Sequence, residues 1–353
     1  MLWAVIMAGG RGTRFWPESR HKLPKQFLNL FGKKTLIEET VDRLTAIIPK
    51  SRMIVVTQAD KVSLVARSTG IRRSQILGEP VGRNTAPCAA WGAAIALKND
   101  ANAVIALMPA DHRIDNGNVF RRALKSAARV AETEGFPVTF GIQPTYAFTG
   151  YGYLEKGAKV TRQGGFTVYC LKRFHEKPTR ARAKQFLRKR RFFWNSGMFV
   201  WRAENLLSAT ERYLPAVSRV LNRLMARGGM RQLGKLYAKM PNISIDYGLM
   251  EKLKGKILTI PVSMGWNDIG GWQALADLYP EDRNGNVLLA DSVCIESSGN
   301  IVKACGKLVA LVGVKNHVIV DTPDALLICS KEKTENIRSV TEHLKKNHKK
   351  RYL

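Results

Sequence analysis

Acidic residues are scarce in this chain: its 353 residues hold 28 Asp plus Glu against 57 Lys plus Arg, a formal net charge of +29. That imbalance creates an attractive field around polyanions. The basic residues are spread over the whole sequence, clustering only at 180–191 and 345–351, and no nucleic-acid motif accompanies them. Nucleic-acid binding is therefore not favoured, and a solvated basic surface that gathers small phosphorylated anions is the preferred reading. Cysteine is sparse too. Cys88, Cys170, Cys294, Cys305 and Cys329 are odd in number, widely spaced and without a Cys-x-x-Cys pair, which argues against a disulfide framework or a structural zinc site and fits a reducing cytoplasm. No apolar run approaches the roughly eighteen residues of a membrane span. The N-terminal apolar stretch, of about ten residues, has no basic segment before it and runs into glycines, so it reads as a strand and not as a signal peptide.

What is present begins with organisation. The length suits one large α/β domain with a smaller appendage. Strand patterns at Leu2–Met7, Met53–Thr57, Ala103–Met108 and Val138–Ile142 alternate with helical ones, the sequence form of a mostly parallel sheet covered on both faces. Thr35 and Glu38 have capping-box spacing, ahead of a stripe of Ile37, Val41, Leu44 and Ile48. A second helix begins near Thr85 and runs through an alanine-rich stretch to about Leu97. From about Thr167 come strands carrying Arg173–Lys177 and Phe192–Trp201, then a helical block from Ala203 to about Ala238. The run Asp282-Arg-Asn-Gly-Asn-Val287 reads as a boundary. Short strand-like pieces follow at Val293–Glu296, Leu308–Val312, Val318–Val320 and Ala325–Cys329, and the chain closes with an amphipathic helix and basic tail over Glu332–Leu353. The domains expected are 1–283 and 284–353.

The first strand breaks into the segment Ala8-Gly-Gly-Arg-Gly-Thr-Arg-Phe-Trp-Pro-Glu-Ser-Arg-His-Lys-Leu-Pro-Lys25. Glycines turn backbone N–H groups toward an anion, and Arg11, Arg14 and Lys25 supply charge, so the pattern is a phosphate cradle. It is not a Walker loop, which needs Gly-Lys-Ser/Thr, nor a Rossmann fingerprint, since Phe15 stands at the last glycine position. The bland alternative is a glycine turn followed by a solvated basic loop. As a whole the segment resembles the opening loop of the sugar-nucleotide pyrophosphorylases. Within that superfamily, Phe15-Trp16-Pro17 and Pro24-Lys25-Gln26-Phe27 are similar to the bacterial mannose-1-phosphate guanylyltransferases, also called GDP-mannose pyrophosphorylases. The resemblance runs over about 1–286 with several motifs in family order. It implies a Rossmann-like, GT-A-like nucleotidyltransferase fold with GTP and mannose 1-phosphate as partners. It further implies a C-terminal left-handed β-helix serving as a homodimerisation element, although the six-residue repeat is too irregular to read that helix from sequence.

The same resemblance distributes roles. Ala8, Gly9, Gly10, Gly12 and Thr13 would cradle the triphosphate, beside Arg14 and Lys25. Leu107-Met-Pro-Ala-Asp-His112 puts Asp111 just past a strand, where a carboxylate beside phosphates makes sense with a joining cation; Mg²⁺ prefers that mixture of oxygens. Asp268, in Gly265-Trp-Asn-Asp-Ile-Gly-Gly-Trp272, would complete the metal pair. Gly78-Glu-Pro-Val-Gly-Arg-Asn-Thr-Ala-Pro87 matches the family's base-recognition loop, with Glu79, Gly82 and Asn84 as candidates. Guanine presents N1–H and its N2 amino group side by side, and an ionised carboxylate accepts from both. Lys177 and Glu176 of Phe174-His-Glu-Lys-Pro178, with Gly152 and Asn195, would hold the sugar phosphate. His112 and His175 receive no general-base role, because the attacking phosphate oxygen is already charged near neutral pH. Cys88, in the alanine-rich helix, reads as buried and inert, and Trp194 and Trp201 as core.

Two other classes stay open at this point, besides a relative that uses another sugar or base. A glycosyltransferase on a similar sheet would need Asp-x-Asp after a strand, where this chain has Asp111-His-Arg113. A nucleic-acid-binding or regulatory protein on the same sheet would account for the charge. The chain has no room for the cupin-type phosphomannose isomerase domain of some relatives, so a single activity is expected.

Overall fold

The computed structural model describes residues 1–10 and 12–353; Arg11, one of the expected cradle cations, lies outside the described residues. Two compact units form, and they do not follow chain order. The first comprises Met1–Gly9, Thr40–Ala110 and Ile114–Trp266, the second Gly10–Glu39, Asp111–Arg113 and Asn267–Leu353.

The first unit is built on strands β1 (Leu2–Ala8), β2 (Met53–Gln58), β3 (Ile76–Glu79) and β4 (Val104–Pro109). After a two-residue strand β5 (Arg113–Ile114) come β6 (Val138–Ile142), β7 (Tyr153–Gln163), β8 (Phe166–His175), β9 (Phe192–Arg202) and β10 (Leu258–Pro261). Nine of these form one sheet in the order β3-β2-β1-β4-β9-β6-β10-β8-β7. β1 is parallel to β2 and β4, and β2 to β3, whereas β9 runs antiparallel to both β4 and β6. The sheet is therefore mixed, and the mostly parallel arrangement expected holds only for β3-β2-β1-β4 and the β6–β10 pair, because β7, β8 and β9 all pair antiparallel with their neighbours. β3 could be given no bounds from the sequence, because Ile76-Leu-Gly-Glu79 carries only two apolar residues. The chain order reverses between β1 and β4, the switch point beyond whose carboxyl ends ligands bind in open α/β sheets.

Helix α1 (Leu36–Thr45) opens on the anticipated capping box: the Thr35 N–H donates to Glu38 Oε2 at 2.7 Å and the Glu38 N–H to Thr35 Oγ1 at 3.4 Å. A short helix α2 (Val62–Thr69) precedes α3 (Thr85–Asn99), whose alanines at 86, 89, 90, 93, 94 and 96 are buried. Small side chains let α3 lie close on the sheet, since a β-carbon at Gly92 would come within 2.4 Å of Val5 Cγ1. Helix α4 (Gly117–Glu134) leads toward β6 and α5 (Arg180–Leu187) toward β9. The expected helical block after β9 is broken into α6 (Ala203–Tyr213), α7 (Pro215–Met225) and α8 (Leu233–Tyr237). Pro215 ends the first piece, as a ring without an N–H must, and Gly228, with φ at 76°, separates the next two.

The chain passes from the first unit to the second within a two-residue strand β11 (Trp266–Asn267), and α9 (Trp272–Ala276) follows in the second. Two parallel ladders follow: β12 (Val287–Leu289), β14 (Ile301–Lys303) and β16 (His317–Thr322) in one, β13 (Ser292–Ile295) and β15 (Val309–Val312) in the other. A final strand β17 (Ala325–Ser330) turns back antiparallel on β16. β12 and β14 were missed as strands, each being only three residues long. The closing segment is α-helical as α10 (Ile337–Lys346) alone, with 3₁₀ segments at Lys331–Asn336 before it and Lys350–Tyr352 after it. A core of Phe15, Trp16, Leu28, Leu30, Ile269, Trp272, Val287, Ile301, Val318 and Ile337 joins the glycine-loop segment to the β-module.

Close packing of α3 gives a first expectation. Gly92→Ala should lower the denaturant midpoint by an amount equivalent to about 1–3 kcal/mol through overpacking, and Val5→Ala in the same chain should recover most of it. Additive losses in that double-mutant cycle would show that the β1–α3 contact is not limiting.

Candidate active site

The glycine loop from Gly10 onward and both metal-candidate carboxylates belong to the second unit. Gly12 has φ of 63° and its α-carbon lies against Lys25, such that an added β-carbon would stand 2.3 Å from Lys25 Cβ; only glycine fits. The Gly12 carbonyl accepts from the Phe15 N–H at 2.9 Å and from Ser19 Oγ at 2.6 Å, closing the turn. Lys25 is buried, and its ammonium donates to Asp111 Oδ2 at 2.9 Å and to the Asp268 backbone carbonyl at 2.6 Å. Burial works to raise the Asp111 carboxyl, but the Lys25 ammonium and His112 outweigh it and hold it below the usual carboxylate range. Ile269, next to Asp268, has φ of 48°, a strained setting for a β-branched residue. It is held there by full burial and by its N–H donating to Asn267 Oδ1 at 2.7 Å.

One cavity of about 350 Å³ is lined by Gly10, Gly12, Thr13, Arg14, Lys25, Asp111, His112, Asp268, Gly270 and Arg338, among others. The two distant carboxylates therefore face the same space. Arg14 packs over Gly270 and Gly271, donates from Nη1 to the Gly270 carbonyl at 3.4 Å, and pairs through Nε with Glu335 Oε2 at 2.9 Å. Among the described residues no group of three or more His, Cys, Asp or Glu is assembled around one point. Two carboxylates still suit Mg²⁺, which commonly takes one or two protein oxygens and completes its shell with phosphate oxygens and water.

In the first unit, Ala8 ends β1 and Gly9 follows it; the Ala8 carbonyl accepts from Thr57 Oγ1 at 3.0 Å and that of Gly9 from Gln58 Nε2 at 3.3 Å. Glu79 ends β3, 4% exposed, and receives the Tyr237 hydroxyl on Oε1 at 2.5 Å. Burial, only partly offset by that hydrogen bond, pushes the Glu79 carboxyl up to about 7. The Tyr237 phenol is raised by burial and by Glu79, so it remains a donor. Asn84 is committed in part to structure, its Oδ1 accepting from the Thr85 N–H at 2.9 Å to cap α3. At Gly82 a β-carbon would meet no protein atom within 4 Å. Cys88 is buried and its thiol pushed up by burial and by Glu79, in line with an inert residue.

A second cluster in this unit joins Gly152, Glu176, Lys177 and Asn195. A β-carbon at Gly152 would lie 2.6 Å from Glu176 Oε2, and Glu176 Oε1 pairs with Lys177 Nζ at 3.3 Å. Asn195 accepts from Thr139 Oγ1 at 3.2 Å and donates to Asp246 Oδ1 at 3.1 Å. Burial first, then Asp246, raises the Glu176 carboxyl to about 7 against the opposing effect of Lys177. Asp246 itself was missed by the sequence reading, as was Glu251, whose Oε1 accepts the Glu176 N–H at 3.4 Å. A signal existed, since these two are the only acids between Glu211 and Asp268. Trp194 and Trp201 are core, as expected.

A nucleotidyl transferase family model matches residues 3–285, and a MannoseP isomerase/GMP-like beta-helix domain model matches 290–344. Mixed sheet, glycine loop and paired carboxylates thus define a nucleotidyltransferase. Among curated relatives, a mannose-1-phosphate guanylyltransferase of Escherichia coli is 37% identical over 359 residues, covering 100% of this chain and 76% of that one. One from Klebsiella pneumoniae is 36% identical with the same coverage. A crystal structure from Thermus thermophilus, described as a mannose-1-phosphate geranyltransferase, superposes with a TM-score of 0.86 at 36% identity over 98% of this chain and 99% of that one. The chain belongs to the mannose-1-phosphate guanylyltransferase family. No helix among the described residues is long and apolar enough to cross a membrane.

The raised carboxyls have a sign. Because Glu79 and Glu176 lie near 7 in the fold against an ordinary 4.5, their contribution to stability is full below about pH 4.5 and is lost as pH rises through about 7. Glu79→Gln should therefore narrow the difference in urea midpoint between pH 5 and pH 8. An unchanged difference would place the titration elsewhere.

Proposed function

We propose that these residues divide the work of one in-line displacement, in which GTP and α-D-mannose 1-phosphate become GDP-mannose and pyrophosphate. A phosphate oxygen of mannose 1-phosphate attacks the α-phosphorus of GTP, and the bond from that phosphorus to the bridging oxygen of the β,γ-pyrophosphate breaks. No covalent enzyme intermediate and no general base are needed, since the attacking oxygen already carries charge. Backbone groups of Ala8, Gly9, Gly10, Gly12 and Thr13 hold the triphosphate, Arg14 and Lys25 neutralise it, and Lys177 holds the phosphate of the sugar. Glu79, assisted by Gly82 and Asn84, reads guanine. Gly152, Glu176 and Asn195 bind the mannose ring. Asp111 and Asp268 would hold Mg²⁺, which when bound supplies charge neutralisation and polarisation of phosphate oxygens.

The observation that carries this reading is that Asp111 and Asp268 line one cavity with Gly10, Gly12, Arg14 and Lys25. Catalysis on such a site rests on positioning and on electrostatic relief of two anions brought together. Residues 1–283 are read as the catalytic domain and 284–353 as a homodimerisation element. The β-module supports this by exposing Val293, Ile295, Leu308, Val312, Leu326 and Ile328, the kind of apolar surface that marks an interaction site. The cysteine pattern supports a cytoplasmic setting.

Pyrophosphate release measured across a grid of nucleotides and sugar 1-phosphates, with and without Mg²⁺, tests the whole assignment. Asp111→Ala and Lys25→Ala should each cut turnover by about two orders of magnitude or more, while Asn195→Ala should mainly raise the KM for the sugar phosphate. Near-wild-type turnover of Asp111→Ala in Mg²⁺ would end the metal assignment. Glu79→Gln should erode the preference for GTP over UTP and dTTP by roughly tenfold or more; an intact preference would remove Glu79 from base reading.

A further inference from the structure

The C-terminal helix reaches the same cavity as the glycine loop. Arg338, the second residue of α10, lines it together with Lys25, Asp111 and Asp268. We propose that Arg338 is a further phosphate-binding residue of the reaction, contributed by the β-module and directed at the pyrophosphate portion of GTP. The inference rests on that cavity being the phosphate site.

Three observations converge on it. First, the other two described cations of the cavity already have carboxylate partners: Lys25 pairs with Asp111 at 2.9 Å and Arg14 with Glu335 at 2.9 Å. Glu335 lies three residues before Arg338, so one short segment offsets a loop cation and supplies another. Second, Arg338 has an acid one turn on, Glu342, at the spacing where surface pairs form, yet its guanidinium has no ion pair or hydrogen bond with any described residue. An incoming anion is then the partner left for it. Third, its backbone is fixed. Ile337 is buried, and Val340 and Leu344 pack on the core shared with Phe15 and Trp272, while the Trp16 indole N–H donates to the Tyr352 carbonyl at 2.8 Å and ties the tail to the loop. An arginine on such a support can close on phosphate oxygens with a paired fork of N–H groups at small entropic cost.

The test uses the full chain with Arg338→Met, Arg338→Lys and Lys25→Met, reading KM for GTP, kcat, and calorimetric binding of inorganic pyrophosphate. Because Arg338 is exposed and makes no described pair, Arg338→Met should keep the wild-type melting temperature. Pyrophosphate affinity and KM for GTP should worsen roughly tenfold or more, Arg338→Lys recovering part of the loss, while KM for mannose 1-phosphate stays within about twofold. Unchanged pyrophosphate binding in Arg338→Met, with a loss in Lys25→Met, overturns the role of Arg338 alone. No loss in either variant overturns the phosphate reading of the cavity itself.

Discussion

A single buried ammonium organises the second unit. Lys25 is 6% exposed, and a charge so placed is tolerable only when its hydrogen bonds are met by an anion and strong acceptors. The Asp111 carboxylate and the Asp268 carbonyl meet them. Three stretches distant in sequence are thereby tied to one point, and the local oddities follow from it. Gly12 must lack a β-carbon because the Lys25 stem passes there, and Ile269 tolerates a left-handed backbone because its side chain is fully buried beside the residue whose carbonyl the ammonium needs. Strain of this kind is kept only where surrounding packing over-determines it. What the arrangement gains is a pair of carboxylates facing one cavity without moving.

That same interaction explains why the site segments were legible. Glycines, a lysine and two acids with unusual neighbours answer to close approach and to charge, so they stand out as residue types in the sequence. The burial of α3 was legible for a related reason: only small side chains allow a helix to lie where Gly92 meets Val5. The β-module was not, because its coils do not share one length. Asn286 and Asn300 stack at a separation of 14 residues, whereas the Asn300 side chain accepts from the His317 N–H across 17. A ladder of fully buried asparagines, each satisfied by the next coil and by the Ser297 and Val314 carbonyls, sets the register in place of a hexapeptide period. The amides hold the coils together through hydrogen bonds that a hydrophobic pattern cannot report. Asp246 escaped for another reason. It sits in a single π-helical turn, Asp246–Met250, whose five-residue spacing matches neither the helix nor the strand period.

The chain is strongly basic, yet in each of the two clusters cations are paired with carboxylates before substrate arrives. Arg14 is offset by Glu335, Lys25 by Asp111, and Lys177 by Glu176. Cations held this way cost little when the site is empty, since none is both buried and alone. They also do not trap an arbitrary phosphate as tightly as a bare cluster would. The general excess of positive charge then acts at long range, raising the local concentration of anionic substrates, while selection is left to short-range geometry.

Under the proposed assignment, recognition of the base and of the sugar would fall to two carboxyls with a common environment. Glu79 and Glu176 are both brought to about 7 chiefly by burial. A group near that point is only weakly committed to being charged, because the fold supplies less solvation than water. Tyr237 satisfies one oxygen of Glu79, and a ligand that brings two adjacent N–H donors supplies the hydrogen bonds that would make the ionised form favourable. A base that offers acceptors instead leaves a buried charge unsatisfied, or forces a proton onto it, and either outcome is unfavourable. On that assignment, discrimination would arise less from the strength of the correct contact than from the penalty on the wrong one. The same burial that lowers the stability of the empty protein above neutral pH is what makes that penalty large.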